Sequence, residues 1–197
     1  MARQLRMVRP NLDGLPELEI SEGYEIRTYR EGDDLHWANV INSSFGGNRT
    51  AADASREIMD RPVFEPDGLY FATYQGTPVG TACAWKKSPD ETEVGYVHMV
   101  GVASEHTGHK LGKWVSLCVI LYLREHGFKC VMLDTDDFRL PAVKTYLNLG
   151  FLPVYVDADQ PDRWCQVFEN LGLPVMLDRS EEIRAALSDE IWAKVCG

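Results

Sequence analysis

The stretch from Tyr96 to Gly112, YVHMVGVASEHTGHKLG, constrains the fold more than any other part of the chain. It begins as a strand, since Tyr96, Val97, His98, Met99, Val100 and Val102 are aromatic, β-branched or apolar. At Ala103 the character turns small, polar and charged, with Gly108 inside the segment and Gly112 at its end. A helical pattern then runs from Lys113 to His126 and stops at Gly127. Strand, polar loop and helix N-terminus in this order form an anion site, because the first helical turn carries unpaired N–H groups and a partial positive charge. Lys110 and Lys113 add full charges there. Taken alone, the stretch is equally an ordinary strand-to-helix connection, so its neighbours must decide.

Upstream, Gly23 to Tyr29 alternates with period two and predicts a strand. Asp33 or Asp34 caps a helix over roughly Leu35 to Ser44, Phe45-Gly46-Gly47-Asn48 breaks it, and Thr50 opens a second helix that Arg61-Pro62 ends. Leu69 to Tyr74 and Val79 to Lys86 flank Gln75-Gly76-Thr77-Pro78 as a hairpin, and Glu93 to Val102 completes a three-strand meander. Downstream, Lys129 to Thr135 is nearly continuous in apolar character, as in a central parallel strand. A helix starts at Pro141 and is closed by Gly150, and Phe151 to Val156 is a further strand. Residues 1–22, broken by Pro10, Gly14 and Pro16, predict an N-terminal arm. Residues 23–156 form the predicted domain. Residues 157–197 predict a helical extension packed on it through Trp164 and Trp192, with a last helix opening at Ser180.

The formal net charge of −10 argues against nucleic acid as a partner. It favours a cationic small molecule, and it equally serves solubility. No apolar run is long enough to span a bilayer and the N-terminus lacks a hydrophobic leader core, which predicts a cytoplasmic chain with no membrane partner. The five cysteines form no CxxC pair and predict free thiols, with no metal site.

In this element order the chain resembles the GNAT superfamily of acyl-CoA-dependent N-acetyltransferases over roughly Gly23 to Val156. Two motifs carry the resemblance. Val102 followed by Thr107-Gly108-His109-Lys110-Leu111-Gly112 is similar to the family's loop of pattern Gln/Arg-x-x-Gly-x-Gly/Ala. Ala142, Tyr146, Gly150 and Phe151 match Ala-x-x-x-Tyr-x-x-x-Gly-Phe. The implied fold is a central mixed α/β sheet, with an antiparallel N-terminal meander and parallel C-terminal strands flanked by helices. Thr107 stands where the family has Gln or Arg, Lys110 where it has Gly, and Arg139 where many members have Asn. If the loop binds pyrophosphate, Lys110 directs its N–H at the ligand without positive φ, and its charge offsets the lost arginine. The other reading is weak or absent CoA binding.

The resemblance implies acetyl-CoA as cofactor and transfer of an acetyl group to a primary amine of a small acceptor in a ternary complex. The implied CoA-contacting residues are Val100, Gly101, Val102, Thr107, Gly108, His109, Lys110, Leu111, Gly112, Lys113 and Arg139, with the Val100 N–H as oxyanion donor. An ammonium of pKa about 10 must lose a proton before it attacks. His98 is the candidate base, on a strand face expected to carry Tyr96, His98, Val100 and Val102 together. The competing reading is a hydrogen-bonded core histidine. Tyr96 joins the site because arylalkylamine acetyltransferases carry His-x-His at these two positions. Glu93 is a second candidate base. Tyr146 matches the family tyrosine that approaches the CoA sulfur, as the acid. Asp134, Asp136 and Asp137 either attract a cationic amine or form a solvated loop. The alternative to an enzyme is a GNAT-like module that binds CoA or a partner without turnover, as a monomer or homodimer.

Overall fold

Short apolar runs hydrogen-bond into a single mixed sheet in the computed structural model, which describes residues 3–174 and 179–197. The first two residues of the expected arm and positions 175–178 of the expected extension lie outside the described residues. The strands are β1 (Leu5–Arg9), β2 (Tyr24–Thr28), β3 (Leu69–Tyr74), β4 (Thr77–Trp85), β5 (Val94–Val102), β6 (Cys130–Thr135) and β7 (Leu152–Val154), in the spatial order β2-β3-β4-β5-β6-β1-β7. β2 to β5 form the antiparallel meander, and β6 joins β5 in parallel.

The arm expected over residues 1–22 instead contributes an interior strand, next to the edge strand β7. β1 pairs antiparallel with β6 from Leu5↔Thr135 to Arg9↔Val131 and, on its other edge, with β7. β6 and β7 therefore run in the same direction with β1 between them. Two arginines in LRMVR argue against a buried strand when the segment is read by itself. Each finds at least one partner that is far away in sequence. Arg6 bonds Asp134 and the carbonyl of Val195, and Arg9 bonds the carbonyls of Leu149 and Asp13.

The helices are α1 (Asp34–Phe45), α2 (Ala51–Ala54, continued by a π turn over Ser55–Met59), α3 (Leu111–Glu125), α4 (Leu140–Asn148), α5 (Gln160–Leu171), α6 (Ser180–Ala186) and α7 (Asp189–Cys196). The final helix expected from Ser180 is thus two, split at Leu187 and Ser188. Thr50 and Asp53 form a reciprocal capping box that starts α2. One face of the sheet is covered by α3, α4 and α5, whose Trp114, Leu117, Val143, Trp164 and Phe168 pack with Leu5, Met7, Val97 and Leu133. The other face is covered in two separate patches. Trp37, Ile41 and Ile58 pack over Phe71 and Cys83 at one end, and Ile183, Ile191 and Val195 over Val8, Val94 and Met132 at the other. Cys83, Cys118 and Cys130 are buried, and all five thiols are free.

Candidate active site

β5 and β6 are paired only from Val94 to Tyr96, after which the sheet splits open. On the other edge of β5 the register with β4 shifts, and Met99 and Val100 together oppose Ala82. Met99 takes up the extra residue in a left-handed conformation, φ 51°. A bulge of this kind turns the strand and changes which residues share a face. Val97, Val100 and Val102 pack toward α3, whereas Tyr96 and Met99 pack on the opposite face and His98 stacks on Trp85 there. The expected single face of Tyr96, His98, Val100 and Val102 is therefore wrong, because the expectation assumed unbroken alternation.

The loop before α3 has its own left-handed residue. Lys110, the N-cap of α3, has φ 58° and ψ 17°, contrary to the expectation that it would avoid positive φ. A lysine here costs about 1–2 kcal/mol relative to an unstrained backbone. Among the described residues, no protein acceptor takes the main-chain N–H groups of Gly108, Leu111, Gly112 or Lys113. These residues line a groove of about 270 Å³ together with Val100, Gly101, Val102, Thr107, Lys110, Arg139, Tyr146 and His106. Helix and strand meet closely, since a Cβ at Gly112 would stand 3.6 Å from Val102. Thr107 uses its hydroxyl on the Ser104 carbonyl, 3.0 Å away. His109 does not line the groove and packs instead on Tyr24, with ring centroids 4.9 Å apart.

The split between β5 and β6 opens a second cavity, of about 650 Å³, on the far side of the bulge. Its walls include Tyr96, His98, Met99, Asp134, Arg6 and Trp85. Val100, Arg139, Ala142 and Tyr146 line both cavities, so groove and cavity meet there. His98 stacks on Trp85 with ring centroids 5.1 Å apart, and among the described residues no group hydrogen-bonds its imidazole. Burial lowers its pKa to about 4, so the ring is neutral at pH 7. Burial raises the Tyr146 pKa far above the usual range, keeping its hydroxyl protonated. The Tyr96 hydroxyl donates to Asp134; burial first, then that carboxylate, hold its pKa high. Arg139 pairs with Asp136 at 3.2 Å and lies 4.0 Å over the Phe45 ring. Asp137 binds Arg163 at 2.7 Å, and Glu93 is held by Lys194 at 2.8 Å, outside the cavity.

Residues 35–151 match the family model described as the acetyltransferase (GNAT) family. The chain belongs to the GNAT family. It is 34% identical over 163 residues to a mycothiol acetyltransferase of Thermobispora bispora, covering 77% of this chain and 54% of that protein. The chain thus spans about half the length of the curated relatives it matches. Among solved structures, the GCN5-related N-acetyltransferase from Sphaerobacter thermophilus superposes with TM-score 0.58 at 20% identity, over 77% of this chain and 49% of that one. An aminoglycoside N-acetyltransferase in complex with CoA gives 0.53 at 18% identity, over 66% and 88%. At such identities the structures show a common GNAT fold.

In this GNAT domain the sequence reading missed Arg6, Arg61, Lys86, Lys87 and His106, all of which line the two cavities. His106 had a signal, as its place in the polar loop equals that of His109; its Nδ1 is 3.0 Å from the Tyr24 hydroxyl. Arg6 had one too, as a charge inside an apolar pentapeptide. Nothing local singles out Arg61 or Lys87.

Proposed function

We propose that this domain is a cytoplasmic N-acetyltransferase that moves an acetyl group from acetyl-CoA to the amine of a small molecule held in the cavity beside His98. What supports this reading most is the junction at Val100 and Tyr146, where a groove presenting free main-chain N–H groups meets a cavity large enough for a small molecule. The residues fit the cofactor: unpaired N–H groups at the N-terminus of α3, with Lys113 beside them, suit a diphosphate. When bound, acetyl-CoA supplies the activated acyl group.

The chain's own residues then have separable roles. The main chain of Gly108 to Lys113 and the Lys113 ammonium hold negative charge. The Val100 N–H, at a position with no register partner on either neighbouring strand, is the oxyanion donor. His98, neutral and unbonded, takes the proton of the attacking nitrogen. With a pKa near 4 it is too weak to deprotonate a free ammonium outright. It therefore acts as the N–C bond forms, when the nitrogen becomes strongly acidic. Tyr146, held protonated, offers its hydroxyl to the leaving side. Tyr96 is committed to Asp134 and shapes the wall.

The curated relatives are named for mycothiol, but the chain spans half of them, and we do not extend their acceptor to it. The test is release of free CoA thiol from acetyl-CoA over a panel of primary amines. Amine-dependent release that His98→Ala abolishes is expected. Acetyl-CoA binding without release for any amine would favour a CoA-binding module instead, the reading that the spent Thr107 hydroxyl keeps open.

A further inference from the structure

The cavity beside His98 has a charge opposite to that of the chain. Five cations line it, Arg6, Arg61, Lys86, Lys87 and Arg139, against two carboxylates, Asp134 and Asp136. Both carboxylates are already matched: Asp134 by Arg6 at 2.8 Å and Asp136 by Arg139 at 3.2 Å. The other three cations remain. Lys86 has only a loose contact with the exposed Glu65, at 3.8 Å. The Lys87 ammonium donates to the main-chain carbonyl of Lys194 at 3.0 Å, a neutral partner. Among the described residues, no acid pairs with Arg61 or with Lys87. Desolvation first, then the nearby Arg6, lower the Lys87 pKa, against a smaller opposing pull from Asp134 and Glu91.

In a chain of net charge −10, Arg61, Lys87 and the loosely paired Lys86 leave this one cavity mouth locally positive, which suits an anionic visitor. Arg61 and Lys87 are exposed, so they stand at the mouth of the cavity, whereas His98 is deeper. A concave mouth concentrates the field of such a rim.

Resting on the transferase reading above, we propose that the acceptor carries an anionic group, a carboxylate or a phosphate, besides its amine. Arg61, Lys86 and Lys87 hold that group at the mouth, and the amine points inward to His98. This reverses the expectation from net charge that the acceptor is simply cationic. The local lining outweighs the distant surface acids, because exposed charges beyond about 10 Å are screened by salt.

The experiment uses matched amines that differ only in the anion: glucosamine 6-phosphate against glucosamine, and β-alanine against β-alaninamide. Binding is measured by titration calorimetry with CoA present, and acetylation is measured separately. The anionic member of at least one pair should bind roughly tenfold more tightly. That advantage should shrink at high salt and fall to about twofold or less in Arg61→Gln/Lys86→Gln/Lys87→Gln. The pair that responds tells phosphate from carboxylate. Equal binding within both pairs, no binding by any of the four, or an advantage untouched by the triple substitution overturns the proposal. Preferential binding without acetylation of any compound would sustain the anion site and sink the transferase reading. Acetylation without preference would do the reverse.

Discussion

Arg6 and Asp134 meet in a two-pronged ion pair, Nε to Oδ1 at 2.8 Å and Nη2 to Oδ2 at 3.0 Å, across 128 residues of chain. Arg6 is almost fully buried, and its third nitrogen binds the Val195 carbonyl. One side chain thus joins the inserted strand β1, the cavity wall and the last helix. Removing one partner of such a pair leaves a charge without its match. Arg6→Leu should cost about 3 kcal/mol in chemical denaturation. With Asp134→Asn added, the double variant should lose less than the sum of the two. Strict additivity would show that the two are not coupled.

Acetyl-CoA should raise the melting temperature, by an amount equal to about 2.7 kcal/mol at a hundredfold excess over Kd. Lys113→Gln should weaken binding several-fold and reduce its dependence on salt. Lys110→Gly should raise the stability of the free protein by up to about 1 kcal/mol, since φ 58° suits glycine. A loss of stability in Lys110→Gly would mean that the lysine side chain makes up for its strained backbone.

The depressed pKa of His98 has a direction in pH. The unfolded chain takes up the proton near pH 6.5 and the folded chain only near pH 4. Between these values the unfolded state binds more protons, so stability falls as the pH is lowered through this window and levels off below it. The size is roughly 3 kcal/mol. His98→Gln should flatten that part of the stability curve and lower turnover by about a hundredfold or more. The wild-type rate should show no limb near pH 6.5 from His98 and should rise as the acceptor amine deprotonates. A stability curve unchanged by the substitution would remove the buried neutral imidazole from this account.

Tyr146→Phe removes the hydroxyl of a residue that lines both cavities and leaves the ring, T-shaped on Phe151, in place. Turnover should fall by about tenfold to a hundredfold with little change in KM or melting temperature. A shift in KM alone would assign the tyrosine to binding.

Gly150 has φ +79°, and a Cβ there would strike the Arg9 guanidinium, which is buried and bonded to the Leu149 carbonyl. Gly150→Ala should therefore destabilise by about 2 kcal/mol, combining backbone strain with displacement of Arg9. If Gly150→Ala costs little when added to Arg9→Ala, the collision carries the cost; if it costs the same there as in the wild type, the backbone does.

Local patterns in the sequence determined the meander from Leu69 to Val102, the polar loop before α3, and the run from Ala142 to Phe151. Alternation, turn residues and caps are properties of neighbouring residues, and they remain readable one segment at a time. Tertiary structure alone decided that LRMVR lies between β6 and β7, because its two arginines are tolerable only beside Asp134, Val195, Leu149 and Asp13. It also decided the bulge at Met99, which separates His98 from Val100 and depends on the two-against-one register with β4. The cationic mouth of the cavity belongs to the same class. Arg61 and Lys87 acquire a shared meaning only once folding brings the turn after α2 to the end of β4, and no pattern of adjacent residues encodes that meeting.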